Sequence, residues 1–173
     1  PWEGTLVDEW VTLQSDSSMM ICIVDALTAK GYTQTGADNG YISEINGIKE
    51  KDASKDSGWM GTLNDWCTSE GFANYTVANG KLKSGDEIAV QHTCNLGADI
   101  GGSFDTSDKS LKAIALSAGE LTPAFSSGVH DYTMILPESV TALTVTPTAS
   151  NKQNRVRIYV GGTEYGRKDA IPV

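Results

Sequence analysis

The sequence has few residues of the kinds that bind metal ions or build disulfide scaffolds. Its 173 residues include only three cysteines and two histidines, and no two cysteines form a CxxC pair. Common zinc sites combine such ligands at short spacings, so no metal site is predicted. In an oxidising compartment, the odd cysteine count favours one disulfide and one buried thiol. Cys22 lies on an apolar helical stripe, whereas Cys67 and Cys94 each follow a predicted strand, so Cys67–Cys94 is the predicted disulfide.

Basic residues are scarce in the first hundred positions. Residues 1–100 hold six lysines, no arginine and 15 acidic residues, which gives a net charge of −9. Residues 101–173 hold seven residues of each sign. Nucleic-acid binding requires a basic surface, so the acidic part excludes that function. The change in charge near residue 100 indicates a domain boundary.

Long apolar runs and recognisable catalytic groupings are also missing. The longest apolar run, Met19–Val24, is far shorter than the roughly 20 residues of a membrane-spanning helix, so no membrane insertion is predicted. No serine lies between nucleophile-elbow glycines. The acidic residues are scattered, without the paired arrangement of glycosidases. His92 shares a predicted strand face with apolar residues and is interpreted as packed. The chain is therefore predicted not to be an enzyme.

The first hundred residues contain patterns for one helix and several strands. Ser15–Ser18 supply N-cap residues for a helix that ends at Lys30-Gly31. Loose alternation predicts a strand over Trp2–Leu13. Further strands are predicted in YISEINGI, GWMGTLN and the segment after the turn at residues 83–86. This order predicts an α+β, β-grasp-like fold with one helix on a mixed sheet.

A polar loop rich in aromatic residues separates the last two of these strands. Alternation within the strand at Gly58 places Trp59 in the core, and the loop position of Trp66 predicts that its ring is mostly exposed. A long loop carried on a small sheet is a common place for ligand binding. The predicted ligand-binding residues are Trp59, Met60, Trp66, Phe72 and Tyr75.

The last third of the chain has no helical periodicity. A Gly, Ser and Asp-rich linker is predicted over residues 99–109, between a first domain at residues 1–98 and a second at residues 110–173. Short strands in LKAIALS, YTMIL, ALTVTPT and RVRIYVGG predict an all-β antiparallel sandwich. Because about 65 residues are few for such a fold, it is expected to be incomplete at its C-terminus, with Ile158, Val160 and Ile171 along an uncovered edge.

The first domain resembles a known family. The helix that contains Cys22, followed by YISEINGI, SGWMGTLND and YTVANGKLKSGDEIAVQHT, is similar to the transcobalamin-like C-terminal domain of bacterial surface proteins. The chain departs from that pattern at Gly61-Thr62, where the family usually has an aromatic residue, and at Asn64-Asp65, where it usually has Asn-Gly. The resemblance implies a domain that covers one face of bound cobalamin, although the helical partner domain of transcobalamins is absent here.

The second domain resembles another family. The segment ALSAGELTPAFSSGVHDYTMILPESVTALTVTPTAS is similar to the cadherin-like β-sandwich of bacterial cell-surface proteins. Together the two resemblances imply an extracellular protein, secreted or displayed on the surface of a Gram-positive bacterium. The function expected from them is a non-catalytic binding or adhesion module that presents its aromatic loop to a ligand.

Several alternatives remain open at this point. The ligand could be a glycan, a protein or a small molecule, and no cofactor is required. A lid-type domain for cobalamin or a related compound is the main alternative function, and an accessory module of a surface hydrolase is another. The incomplete sandwich also predicts an edge-strand contact with another chain or domain.

Overall fold

The structure is a computed structural model that describes residues 4–173. These residues form one α-helix and eleven short strands, besides three single 3-10 turns. In chain order they are α1 Met19–Ala29, β1 Gln34–Thr35, β2 Glu44–Ile45, β3 Ile48–Lys49, β4 Gly58–Leu63, β5 Trp66–Cys67, β6 Ile88–Thr93, β7 Leu111–Leu116, β8 Ala142–Ala149, β9 Ile158–Val160, β10 Thr163–Tyr165 and β11 Ala170–Pro172. We call residues 4–98 the first half and residues 110–173 the second half.

Helix α1 begins and ends where the sequence predicts. The Ser18 hydroxyl accepts a hydrogen bond from the backbone N–H of Ile21 at 3.1 Å, which caps the first turn. At the other end Gly31 has a φ of +77°. Its N–H donates to Thr28 and that of Tyr32 donates to Leu27, both at 2.9 Å, which is a Schellman motif. The buried stripe of the helix is Met19, Met20, Cys22, Ile23 and Leu27.

Two small sheets pack with α1 around the core of the first half. One has the order β1-β2-β3 and the other β5-β4-β6. Asn46-Gly47, with φ of +50° and +81°, forms the tight turn between β2 and β3. Along β4, Trp59 and Leu63 are buried in the core as the alternation predicts. The sheet β5-β4-β6 also carries the aromatic loop, residues 68–80, which lies between β5 and β6. The loop was predicted to begin at Asp65, but Trp66 and Cys67 form β5 instead.

Two features of the predicted first domain are wrong. Every strand pairing within residues 4–173 is antiparallel, so the sheet is not mixed. No strand forms over residues 4–13, and Trp2 lies outside the described residues. Leu6, Val7, Val11 and Leu13 pack against the core through their side chains instead. Their β-favouring character fits extended backbone, but a strand also requires a hydrogen-bonded neighbour.

The predicted Cys67–Cys94 disulfide is also wrong, since Cys22, Cys67 and Cys94 are all free thiols. Cys67 pairs with Thr62 on one side of β4, and the residue before Cys94 pairs with Gly58 on its other side. The separation is therefore roughly 13 Å along β4 and roughly 10 Å across it, whereas bridged Cα atoms lie within about 7 Å. Burial raises the pKa of the Cys22 and Cys67 thiols, which makes both less reactive.

The segment predicted as a linker is attached to the second half by side-chain hydrogen bonds. The Asn151 amide donates to the carbonyls of Ser103 and Asp105, each at 2.9 Å, and accepts from the Ser103 N–H. The Asn154 amide donates to the Asp108 carbonyl at 2.6 Å. Residues 103–108 thus run beside the turn at residues 151–154.

The second half is built of short antiparallel strands, as predicted. One sheet has the order β11-β8-β7, and β9 and β10 form a separate hairpin closed by Gly161-Gly162. The predicted strand YTMIL is reduced to one isolated bridge between Thr133 and Thr122. Burial still alternates there, with Tyr132, Met134 and Leu136 half-buried and their neighbours exposed.

The expected uncovered edge is only partly present. Ile171 is 4% exposed and pairs with Leu143 across β11 and β8, so its predicted exposure is wrong. Val160 is 44% exposed, and Ile158 is half-buried beside the first half. The chain itself therefore covers Ile171, because β11 returns to β8.

Candidate functional site

A cleft lies between the aromatic loop of the first half and the second half, and its volume is about 470 Å³. We call it the interdomain cleft. Leu63, Asn64, Asp65 and Trp66 form its first-half wall together with residues of the aromatic loop, and residues of β8, β9 and β10 face them. Ligand sites commonly lie at such boundaries and have volumes of this order.

The aromatic wall of the cleft consists of Trp66 and Tyr75. Their rings meet edge to face with centroids 6.2 Å apart, an arrangement that aromatic pairs favour. Tyr75 is 3% exposed, and its hydroxyl accepts hydrogen bonds from the N–H groups of Ser69 and Glu70. Trp66 is half-buried. Tyr75 is therefore the buried ring against which Trp66 packs. Of the two rings, Trp66 is the one that a ligand in the cleft could contact.

The second half fixes the orientation of Trp66. The indole N–H donates to the Gln153 carbonyl at 3.1 Å, and the next residue, Cys67, donates its backbone N–H to Lys152 at 2.8 Å. Lys152 also forms an ion pair with Asp65 at 2.8 Å. This explains why the prediction of a mostly exposed Trp66 is wrong: the turn at residues 151–154 covers one edge of the ring.

The charged groups of the cleft are largely paired. Lys81 contacts Glu70 at 2.8 Å, and Lys83 contacts Asp169 at 3.0 Å. Arg167 contacts Glu87 at 2.8 Å. The pKa of the Asp169 carboxyl is lowered, since burial raises it but the Gly166 N–H and the Lys83 ammonium outweigh that effect. The lining thus offers fixed donors and acceptors with little net charge from these pairs.

Arg155 is different from the other cations of the cleft. Its guanidinium carbon lies 5.5 Å from the centroid of the Trp66 ring, within the distance of a cation–π interaction. Arg155 is exposed and forms no ion pair with any carboxylate in residues 4–173. Its N–H groups can therefore bind an incoming acceptor.

The predicted ligand-binding residues do not all lie together. Trp66 and Tyr75 line the cleft. Trp59 is 8% exposed, donates its indole N–H to Ile48 and meets the His92 ring edge to face. It belongs to the core.

The other two predicted residues, Phe72 and Met60, pack against opposite faces of the sheet at β4. Phe72 packs over Gly61, where an added Cβ would lie 2.5 Å from its ring. Met60 lies on the opposite face of β4, beside Gly97. The five predicted residues thus lie in four different surroundings, and the prediction missed Arg155 and Lys152. The signal for those two is the run of cations at positions 152, 155 and 157 in an otherwise acidic protein.

Neither a cluster of three potential metal ligands nor a membrane-spanning helix occurs in the part of the chain that the structure describes. Residues 4–173 contain no cluster of three or more His, Cys, Asp or Glu that could hold a metal ion. Within the same range, no helix is long and apolar enough to cross a membrane. His92 lies with Nε2 3.1 Å from the Lys49 carbonyl and packs on Trp59. This agrees with its interpretation as a packed residue.

A second, larger groove lies in the first half and shares Lys83 and Asp86 with the lining of the interdomain cleft. Its volume is about 1240 Å³, and residues 4–13 form one of its walls. The remaining lining comes from α1, from Ile45, Ile48 and Trp59, and from residues between 82 and 94. Trp10, at its rim, is 84% exposed.

Comparison with known proteins finds a family model that matches part of the first half. The family model for a domain of unknown function, DUF4430, matches residues 21–92, and this family is transcobalamin-like. The matched stretch begins inside α1 and ends inside β6. It therefore contains the aromatic loop and confirms the transcobalamin-like resemblance for this stretch. No curated protein and no solved structure matches the chain.

Proposed function

We propose that the protein is a non-catalytic binding or adhesion module of a secreted or surface-displayed bacterial protein, and that it binds a glycan in the interdomain cleft. The observation that carries this proposal is the position of Trp66. Its ring forms part of the cleft wall, is held by the hydrogen bond from its indole N–H to the Gln153 carbonyl, and keeps partial exposure to solvent.

The lining of the cleft suits a sugar. A pyranose ring offers a weakly polar face of C–H groups and a rim of hydroxyls, so it needs an aromatic surface together with hydrogen-bond donors and acceptors. Trp66 supplies the surface, and Asn154, Lys81 and Glu70 are polar residues of the lining. The volume of about 470 Å³ is in the range of small-molecule sites.

The second half has a direct part in this proposal. Its cadherin-like sequence pattern favours a spacer module of the cell surface. It also supplies Gln153, which orients Trp66, and Arg155, which stacks on it. Binding of the glycan is therefore expected to need both halves.

The test is isothermal titration calorimetry of the whole chain with cell-wall and host glycans selected on a glycan array. Trp66→Ala should weaken binding by at least about tenfold, because stacking on an aromatic side chain contributes roughly 1–3 kcal/mol in comparable stacking contacts. Trp10→Ala is the matched control, since Trp10 is exposed and lies outside the cleft. Equal effects of the two substitutions, or no glycan binding at all, would contradict the proposal.

A lid for cobalamin is the second candidate, and the transcobalamin-like family match favours it. A corrin is larger than the interdomain cleft, so it would contact the aromatic loop from outside. Cobalamin is therefore included as a separate titrant, with its visible absorption spectrum as the readout. Binding of cobalamin in preference to every glycan would replace the first proposal with this one.

A further inference from the structure

We infer that the glycan held in the interdomain cleft carries a carboxylate, as uronic acids do, and that Arg155 binds this group. The inference rests on the proposed function and names the ligand class for the same cleft. It follows from the state of the charges around the cleft and from the geometry of Arg155 and Trp66.

Among the described residues, Arg155 is the cation of the cleft lining that has no carboxylate partner. Of the four cations in the lining, Lys81, Lys83 and Arg167 each contact a carboxylate at 3.0 Å or less. Arg155 contacts none within residues 4–173, although acidic residues outnumber basic ones in the protein by 22 to 13. A cation that stays unpaired in an acidic protein, at the wall of a cleft, can pair with a ligand anion without losing an existing partner.

The position of the Arg155 guanidinium over the Trp66 ring prepares it for a planar anion. Contact with the Trp66 ring restricts the guanidinium while leaving its edge N–H groups available. A carboxylate can accept two parallel N–H bonds from such an edge. When the pyranose ring of a uronic acid contacts Trp66, the carboxylate attached to that ring would lie within reach of the Arg155 guanidinium.

Hydrogen bonds also hold the backbone of residues 151–154, the turn that precedes Arg155. Asn151 accepts the N–H of Gln153 and is bonded in turn to Ser103 and Asp105. Asn154 donates to Asp108 and accepts from Lys109. Less conformational entropy is lost on binding when the binding group is held in this way.

The remaining charges of the lining favour a singly charged ligand. Asp86 accepts hydrogen bonds from the Asn64 side-chain amide and the Lys83 backbone N–H, both at 2.7 Å, but within the described residues no lysine or arginine side chain forms an ion pair with it. Glu164 lies 3.9 Å from Arg157, a weak pair. These carboxylates repel anions, and they repel a doubly charged phosphate monoester more strongly than a carboxylate.

The experiment measures binding of glucuronate, of glucose and of glucose 6-phosphate to the whole chain, by calorimetry at low and at physiological salt. Glucose is the neutral analogue with the same ring. Arg155→Ala should weaken glucuronate binding by about tenfold, the effect of losing one charge-assisted contact, and leave glucose binding nearly unchanged. Arg155→Lys should restore only part of the loss, because lysine has no planar fork.

Arg157→Ala is the matched control, since it removes the same charge two residues away and Arg157 lies outside the cleft lining. A preference for glucuronate that disappears in Arg155→Ala and persists in Arg157→Ala supports the inference. Equal binding of glucuronate and glucose, unaffected by Arg155→Ala, overturns the inference but leaves the proposed function standing. A preference for glucose 6-phosphate overturns the carboxylate assignment. Absence of binding by all three, together with a failed glycan array, overturns the proposed function as well.

Discussion

Single residues account for much of how the aromatic loop meets the sheet. Gly61 occupies a position of β4 at which the transcobalamin-like sequence pattern has an aromatic residue. The ring of Phe72 lies over Gly61 instead. An added Cβ at Gly61 would lie 2.5 Å from Phe72 and 3.0 Å from Met19. Phe72 is therefore a packing residue that anchors the loop over β4, and Gly61 is the residue that makes room for it.

Replacing Gly61 tests this packing. Gly61→Ala should destabilise the protein by about 1–3 kcal/mol, because the new methyl group overfills a contact between buried groups. The measurement is urea unfolding followed by tryptophan fluorescence. Gly128→Ala is the control, since a Cβ added there would have no atom within 4 Å and the φ of Gly128 is not positive. An equal loss in both variants would show that Phe72 does not pack tightly over β4.

At the scale of elements, the turn between β4 and β5 positions Trp66 in the wall of the interdomain cleft. Asn64 and Asp65, with φ of +53° and +65°, join β4 to β5 without the glycine usual in such a turn. Asn64 compensates through its side chain, which donates to Asp86 at 2.7 Å and accepts from the Glu87 N–H at 2.9 Å. The turn thereby connects β5, which carries Trp66, to the start of β6.

The loop after β6 should give the protein a pH-dependent stability. The pKa of Asp99 is lowered, first by the Cys94 N–H, which donates to it at 2.7 Å, and then by the Thr93 hydroxyl. A lowered folded-state pKa contributes stability that is present above the unfolded value of about 3.9 and is lost as the pH falls below it.

Asp99→Asn should therefore lower the melting temperature at pH 6–7, and the difference from the wild type should shrink as the pH falls below about 4. Thermal unfolding followed by circular dichroism over this pH range is the measurement. Asp38→Asn, in the exposed turn before β2, is the matched control. A constant difference at all pH values would show that the Asp99 carboxylate charge does not stabilise the loop.

At the scale of the whole molecule, ion pairs and hydrogen bonds join the two halves. Glu87 contacts both Arg167 and Lys168 of the second half. Lys152 contacts Asp65, and the Cys67 N–H donates to Lys152. Because these contacts surround the interdomain cleft, they also determine its width.

Removing the Glu87 charge tests the coupling of the halves. Glu87→Gln should lower stability by about 1 kcal/mol, since the Glu87 and Arg167 side chains are only half-exposed or less, which limits solvent screening. For a chain of this length the melting temperature should fall by about 2–4 °C. Glu164→Gln, at an exposed pair within the second half, should change it by less than a degree. Calorimetry that shows two independent transitions, both unchanged in Glu87→Gln, would contradict the coupling.

The sequence by itself determined the local elements. Capping residues and a C′ glycine specify α1, the Asn-Gly pair specifies the turn between β2 and β3, and alternation specifies the faces of β4 and β6, because each depends on neighbours within a few residues.

Only the tertiary structure decided which distant residues meet. The pairing of β5 and β6 on opposite sides of β4 separates Cys67 from Cys94, and no local pattern contains that register. The same holds for the contact of Arg155 with Trp66, which lie 89 positions apart in the sequence. Trp59 and Trp66 are both aromatic residues of one segment, yet one fills the core and the other lines the cleft, because burial depends on what the rest of the chain places beside each ring.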